Sequence, residues 1–427
     1  MKISRKKKNI KFVDLFAGIG GFHIALKNVA RINDYDIECV FVSEIDKEAK
    51  KTYSINFNFD ESKMINIRDI DSKATQVPNH DFLFAGFPCQ TFSNAGKKQG
   101  FLDEIRGTLF FDIVKILENK KPKYILLENV KHLVNHDNGR TWDIIIDTLQ
   151  NKLGYIIPEK PLILSPEEFG IPQDRKRVFI PGILREKTKY KGKYLNIEFP
   201  SKNNKKENYQ EIKRKIFDNY LEKNVDQKFY LKNHNNGNYL NRVFDAWEEF
   251  LINVKWKKDR TLPVIWTYEF NKNYEINNLP QWKQKYILDI RDLYKLNKKF
   301  IDKWMTKHDV HNWNKREQKF EWQAGSDIKS LKDSFIQLRQ SGIRCKRPIK
   351  FPTLVAIVQI PLIYDENINE WRYLTPRETA NLQSFPASFK THSDITKNNV
   401  YYSYKQFGNS VNVKIVEFIQ NYLLKNY

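Results

Sequence analysis

Phe12-Val13-Asp14-Leu15-Phe16-Ala17-Gly18-Ile19-Gly20-Gly21-Phe22-His23-Ile24-Ala25-Leu26 joins an apolar run, a glycine-rich turn and the opening of an apolar helix in immediate succession. Phe12 to Phe16 suits a short buried strand. Strand, glycine turn and helix together form the first unit of a nucleotide-binding α/β sheet. The glycines let the backbone come close to a ligand, and the helix N-terminus offers unpaired N–H groups. The spacing is Gly-x-Gly-Gly, shorter than the Gly-x-Gly-x-x-Gly of dinucleotide enzymes, and leaves less room for a pyrophosphate. The next apolar run, Cys39 to Ser43, ends in Glu44. An acid about twenty residues beyond such a turn can accept both ribose hydroxyls of an adenosine.

Working outward, helical and extended patterns alternate. Asp46 to Asn56 reads as a helix, Ile65 to Ile70 as an extended segment and turn, and Phe82 to Gly86 as a buried strand. Gly107 to Glu118 has apolar residues at helical spacing. Tyr124 to Leu127 is a strand ending in Glu128, Trp142 to Leu153 a helix, Ile156 to Leu164 a strand pair, and Arg177 to Leu184 a last strand. This alternation predicts a doubly wound, mostly parallel α/β sheet. Beyond Lys187 the texture turns Lys- and Asn-rich, and seven of the nine tryptophans lie between Trp247 and Trp322, too many for a disordered linker. Trp282, Tyr286, Ile290, Leu293, Leu296, Phe300 and Trp304 predict one long amphipathic helix with its stripe in the core. The aromatic and basic run from Trp313 to Gly325 serves equally well for packing or for DNA contact. Thr375-Pro376-Arg377-Glu378 has the form of a capped helix start. A closing helix runs from Val413 to Leu424.

The net charge of +22 over 427 residues, with a pI near 9.5, is the electrostatic footprint of a protein that meets a polyanion, with nucleic acid first in line. The three cysteines, Cys39, Cys89 and Cys345, have no paired spacing, which supports neither a disulfide framework nor a zinc site and suits a reducing cytoplasm. The basic N-terminus reads as a lead-in to the first strand and not as a signal peptide, because Asp14 and His23 interrupt its apolar region. No run approaches the length of a membrane span.

The chemistry gathers after Gly86, where Phe87-Pro88-Cys89-Gln90 puts a thiol at the carboxyl end of a strand, the place where ligands collect in open α/β sheets. A lone cysteine is more often a small buried hydrophobe. Here, however, it is followed by the polar, basic loop Ser93 to Gly100 and shares the strand ends with Glu128, Arg175 and Arg177. A thiolate is a strong nucleophile near neutral pH. Pyrimidine C5 is a poor nucleophile until C6 has been attacked, and a buried carboxyl at N3 stabilises the charge that then develops. Thiol plus carboxyl therefore suits methyl transfer to pyrimidine C5, on a base flipped out of its duplex.

FVDLFAGIGGFHIAL, FAGFPCQTFSNAGKKQGF, RGTLFFDI, PKYILLENV, FGIPQDRKRVFI, PRETANLQSFP and YKQFGNSV, in this order, resemble the bacterial DNA (cytosine-5)-methyltransferase family of restriction-modification systems. The match covers roughly 11 to 185 and 350 to 427. The resemblance implies a class I, Rossmann-like S-adenosylmethionine-dependent methyltransferase with an inserted α+β target-recognition domain. Its parts are a catalytic domain at 1–187, target recognition at 188–350, a hinge and helix at 351–398, and a completing segment at 399–427. It implies Cys89 as nucleophile, Glu128 on N3 and the exocyclic amine, and Arg175 and Arg177 positioning the ring. Phe16, Gly18, Gly20, Glu44, Ile45, Asn66, Pro88, Asn409, Ser410 and Val411 would hold S-adenosylmethionine and its product S-adenosylhomocysteine. Gln90, Ser93, Lys97, Lys98, Arg106 and Thr353 would meet DNA, and Asn129 would hold the Cys89 loop. Where the family commonly carries Gly-Asp-Ile this chain has Ile65-Asn66-Ile67, so the adenine amine falls to Asn66 or, in a shifted register, to Asp69. Ile45 stands where an aromatic often stacks on the adenine. The resemblance further implies no metal, a double-stranded DNA partner, a separately acting restriction endonuclease, a monomer, no membrane, and a place at the nucleoid of a prokaryotic cytoplasm. A tRNA methyltransferase of the same fold and a catalytically silent DNA-binding relative are the alternatives.

Overall fold

A computed structural model of the chain describes residues 7–88, 109–199, 208–257, 261–355, 359–397 and 399–427. Cys89, Gln90, Ser93, Lys97, Lys98 and Arg106 lie outside the described residues. The chain forms two compact units, one of 1–204 with 380–427 and one of 205–379. By contacts the boundaries lie at 204/205 and 379/380, and the 351–398 hinge and helix is shared between the two units. Residues after 187 stay with the first unit because Leu195 N–H donates to Ile157 O at 3.0 Å and Tyr190 packs edge-on against Tyr427.

The first unit is built on β1 (Asn9–Leu15), β2 (Asp36–Ser43), β3 (Phe82–Gly86), β4 (Tyr124–Val130), β5 (Tyr155–Ile156), β6 (Leu162–Leu164) and β7 (Arg177–Leu184). Their order is β2-β1-β3-β4-β7-β5, with β6 also on β7. The first four strands run parallel and β7 runs antiparallel to β4. Side chains alternate across a strand, so a sheet covered on both faces needs apolar residues at every position. In β3, Phe82 and Phe84 enter one core with helices α1 (Gly21–Asn33) and, at the chain's end, Val413–Asn426. Leu83 and Ala85 enter the opposite core. That second core includes Phe110, Ile113 and Leu117 of α3 (Leu109–Lys120), the helix that follows α2 (Lys47–Phe57). The anticipated helix from Trp142 begins earlier, as α4 (Arg140–Asp147), and passes into a π-helical turn at Thr148–Lys152. Thr148 Oγ1 donates back to Ile144 O at 2.7 Å, a side-chain bond that competes with the regular helical ladder.

The second unit carries helices α5 (Tyr209–Tyr220), α6 (Gly237–Asn253) and α7 (Gln281–Lys307). Its sheet is formed by β8 (Ile265–Trp266), β9 (Lys319–Gln323), β10 (Phe335–Arg339), β11 (Gly342–Lys346), β12 (Leu362–Asp365) and β13 (Glu370–Tyr373). Their order is β13-β12-β10-β11-β9-β8. Trp247, Phe250, Ile290, Leu293 and Trp304 pack against one face of this sheet, through Phe320, Trp322, Ile336, Ile343 and Cys345. The stripe on α7 is only partly core, since Trp282 is 59% and Leu296 56% exposed. The helix kinks at Asn297, whose side chain bonds both the N–H and the carbonyl of Lys255 at 2.8 Å. Asn297 thus takes the inward place and Leu296 turns out. Trp313 and Trp322 are buried, so packing claims the tryptophans of the aromatic and basic run.

The chain continues through α8 (Pro376–Leu382), α9 (His392–Thr396), α10 (Val400–Asn409) and α11 (Val413–Asn426). Thr375 and Glu378 cap α8 reciprocally, Glu378 N–H donating to Thr375 Oγ1 and Thr375 N–H to Glu378. Among the described residues no helix is long and apolar enough to cross a membrane, and no group of three or more His, Cys, Asp or Glu could hold a metal ion.

Candidate active site and cofactor cleft

The carboxyl ends of β1 to β4 gather most of the described candidates. Phe16, just past β1, is held at φ 53, a left-handed conformation that a bulky residue rarely adopts and that marks a constrained turn. Gly18 follows at φ 54, and a Cβ there would meet nothing within 4 Å, so the turn leaves open space above its backbone. Glu44, at the end of β2, reaches back to this turn. Its Oε2 accepts from Gly18 N–H at 2.7 Å and its Oε1 from the N–H groups of Ile45 and Asp46 at 2.7 and 2.8 Å. A carboxylate has about four acceptor sites, so three donors leave one for a hydroxyl. Ile45 is 71% exposed. Ser43 bridges Ile65 in parallel, and that pairing sets Asn66 beside Glu44 in the sheet, with Asp69 a turn further on and exposed. Asn66 Oδ1 accepts from Arg68 N–H at 3.1 Å.

The last segment approaches the same turn. A Cβ on Gly21 would sit 2.7 Å from Val411 Cγ2 and 3.0 Å from Ser410 Oγ, so only glycine admits this contact. Gln420 Nε2 donates to Phe22 O at 3.1 Å and fastens α11 to α1. Ser410 and Val411 therefore lie against the helix start that follows the Gly18 turn, with Asn409 the residue before them. An adenosine with a charged amino-acid tail fits these residues, given an acid with one acceptor site left, open space over Gly18, and a helix N-terminus with no side-chain cap.

Glu128 stands at the end of β4, opposite Gly86 of β3 and Phe179 of β7 in the sheet register. Burial raises its carboxyl above the ordinary range, against the opposing pull of Arg177 and Arg175. Arg177 Nε lies 3.2 Å from Glu128 Oε1. Arg175 precedes β7, and its Nη2 donates to the carbonyls of Gly408 and Ser410 at 2.9 and 2.8 Å. Of the two arginines, then, Arg177 faces the carboxyl while Arg175 braces the Gly408 to Ser410 turn. Asn129 Nδ2 donates to Phe87 O at 2.8 Å and so anchors the chain two residues before Cys89. Pro88, next along, is exposed. Burial pushes the Cys39 thiol up to about 12 and raises that of Cys345 as well, so neither is a nucleophile near neutral pH. Thr353 lies in the second unit, near Phe351, whose ring stacks on Phe335 at 4.1 Å. Sequence reasoning passes over Asp14. This carboxyl is wholly buried in β1, and desolvation, then Glu44, pushes it well up. The one signal for it is a lone acid inside an apolar strand.

A mostly parallel α/β sheet whose strand ends bring together a glycine turn, a buried carboxyl and an arginine has the build of an α/β group-transfer enzyme. The model of C-5 cytosine-specific DNA methylases matches residues 10–425. The type II methyltransferase M.BanI of Aneurinibacillus aneurinilyticus is 32% identical over 455 residues, covering 98% of this chain and 96% of that protein. The type II methyltransferase M.AluI of Cellulosimicrobium cellulans is 29% identical over 498 residues, covering 98% and 92%. The solved methyltransferase EhMeth of Entamoeba histolytica shares the fold, with a TM-score of 0.53 at 18% identity and 99% of each chain covered. The chain belongs to the C-5 cytosine-specific DNA methylase family. Its activity is the sequence-specific methylation of DNA at cytosine C5 with S-adenosylmethionine as donor.

Proposed function

We propose that the chain methylates a flipped-out cytosine through a covalent bond from Cys89 to C6, with Glu128 as the acid at N3. What supports this reading most is Glu128 itself, a buried carboxyl raised above its ordinary range and paired across from Gly86, which stands three residues before Cys89 in the sequence. Burial of this kind favours the protonated acid over the carboxylate. The Cys89 thiolate adds to C6, the ring's electrons move toward C5, and N3 takes the proton from Glu128. S-Adenosylmethionine, held by Gly18, Glu44, Asn66 and the Asn409 to Val411 turn, supplies an electrophilic methyl group for C5. Loss of the C5 proton to a base then expels the thiolate, N3 returns its proton to Glu128, and the aromatic ring is restored. Arg177 holds the carboxyl and the ring in register, Arg175 keeps the cofactor turn in place, and Asn129 anchors the Cys89 loop. Pro88 and Ile45 line the adenosine, while Gln90, Ser93, Lys97, Lys98, Arg106 and Thr353 meet DNA. The second unit reads the target. The enzyme works as a monomer in a prokaryotic cytoplasm, with no metal, and protects DNA from a separately acting restriction endonuclease.

Tritiated S-adenosylmethionine should label duplex DNA and leave tRNA unlabelled; label in tRNA alone would reverse the substrate. Cys89→Ser should abolish turnover and keep duplex binding, and a duplex carrying 5-fluorocytosine should trap an adduct on the wild type that Cys89→Ser cannot form. Turnover by Cys89→Ser would remove the nucleophile.

A further inference from the structure

Strand alternation divides β9, β10 and β11 into two unlike faces. Phe320, Trp322, Ile336, Leu338, Ile343 and Cys345 point into the core of the second unit. The opposite positions are Lys319, Glu321 and Gln323 on β9, Phe335, Gln337 and Arg339 on β10, and Arg344 and Lys346 on β11; Phe335 and Gln337 are buried, so the open part of this face is its polar end around Arg339, Arg344 and Glu321. Register makes them neighbours, with Gln337 across from Arg344, Arg339 across from Gly342, and Arg344 beside Glu321. β10 and β11 form an antiparallel ribbon whose turn, Gln340 and Ser341, is exposed. Gly342 permits this close turn at φ 139, where a Cβ would lie 2.7 Å from the Cβ of Lys319.

Two arginines on this face are set for a ligand. Glu321 Oε2 accepts from Arg344 Nε at 2.6 Å, which aligns the guanidinium through its side edge. Its end-on Nη1 and Nη2 pair makes no hydrogen bond among the described residues. Arg339 Nη1 is enclosed by protein atoms and has no partner among them, so its guanidinium meets an acceptor only by turning outward. An enclosed donor left unsatisfied is costly, so a face that carries one suits a partner that supplies the acceptor. The DNA major groove admits a two-stranded ribbon, and guanine presents O6 and N7 there as a pair of acceptors matched to an arginine fork. Lysine, by contrast, meets phosphate as a point charge.

We infer that the polar face of β9 to β11 is the base-reading surface of this methyltransferase, with Arg344, aligned by Glu321, and Arg339 each reading a guanine edge in the major groove. The assignment rests on the DNA methylation already established for the chain and names residues for its specificity. Glu321 is a positioning residue and acts through Arg344.

The test is bisulfite sequencing of a duplex library, degenerate around the methylated cytosine, after incubation with each variant. Arg344→Gln and Arg339→Gln should each relax discrimination at one guanine position, roughly tenfold to a hundredfold, and at different positions. Glu321→Gln should relax the Arg344 position alone and by less. Arg344→Lys retains charge and bulk in the sheet, so it should keep the wild-type salt dependence of binding while losing the guanine preference. Unchanged base preferences, with affinity falling equally for all sequences and the salt slope reduced by about one, would overturn the assignment in favour of phosphate contacts. Arg344→Lys with wild-type preferences would do so as well. The wild-type arm reports on methylation by itself, so a failure of the activity is told apart from a failure of this assignment.

Discussion

Gly21→Ala isolates the contact that joins the two ends of the first unit. A methyl at this position would lie 2.7 Å from Val411 Cγ2 and 3.0 Å from Ser410 Oγ. Carbon–carbon contact becomes comfortable at about 3.5 Å, so the Val411 side chain must retreat by roughly 0.8 Å. Val411 has little room, being 7% exposed, and its carbonyl accepts from Ser410 Oγ at 3.1 Å. The carbonyl of Ser410 in turn accepts from Arg175 at 2.8 Å, so the displacement travels along the turn to the arginine that braces it. Two energies compete. Alanine is favoured over glycine in a helix by about 0.5–1 kcal/mol, while overpacking a close contact costs about 1–3 kcal/mol. Overpacking wins by about 1 kcal/mol, a modest loss in a denaturant titration. A displacement near 1 Å at a positioning turn is worth far more to catalysis, up to about a hundredfold. The variant should therefore fold, bind S-adenosylmethionine weakly by calorimetry, and show a raised KM for the donor with duplex binding unchanged. Val411→Ala removes the obstructing methyl, so the double variant should regain most of the donor affinity that Gly21→Ala loses, with a coupling of about 0.5–3 kcal/mol. If the two substitutions were additive, or if Gly21→Ala bound the donor as the wild type does, the reasoning would fail.

Two further perturbations probe the buried charges. Burial raises the Glu128 carboxyl above its unfolded value, so its favourable contribution to folding is complete below the unfolded value of about 4.3 and is lost as pH rises through the raised folded value. Glu128→Gln carries no such loss: it should become more stable relative to the wild type as pH rises above about 4.3 in urea titrations, while turnover falls by about 10²–10⁴. The opposite stability trend would mean that the Arg177 pair, not desolvation, dominates. Arg372 in the second unit is fully buried and bonds Asp365 through Nε at 2.8 Å and Glu378 through both other nitrogens at 2.9 Å. Arg372→Ala strands two acids that water does not reach and should cost about 3–5 kcal/mol of stability; a change below about 1 kcal/mol would show that water reaches the site.

The first unit was largely legible because parallel strands covered on both faces read as unbroken apolar runs. FLFAG and YILLENV are such runs, as is RVFIPGIL on the antiparallel β7, and the glycine of the first and the acid within the second announce the site end. Glu44 and Glu128 were visible for that reason. Asp14 was not, because one acid inside FVDLF looks like a tolerated interruption, and only its burial beside Glu44 gives it meaning. The second unit hid its sheet. KFEWQ, FIQLR and GIRCK alternate with period two, but their polar positions hold Glu, Gln, Arg and Lys amid a Lys-rich stretch, so the alternation reads as surface and only the tryptophans stand out.

Arg175 and Arg177 show where spacing runs out. Two residues apart, they would share one face of a strand and with it one role. Yet β7 begins at Arg177, which pairs across from Val130 and reaches Glu128. Arg175 belongs to the loop before it, where its N–H donates to Ser165 Oγ at 3.2 Å and its head turns to carbonyls more than 230 residues away in sequence. A strand boundary therefore decides which arginine faces the acid and which one holds the Gly408 to Ser410 turn. The Gly21 contact with Val411 depends in the same way on the return of the last segment to α1. Motif order along the chain can name the groups that carry the chemistry. Which of them touch is settled by long-range closure of the sheet, and local patterning does not encode it.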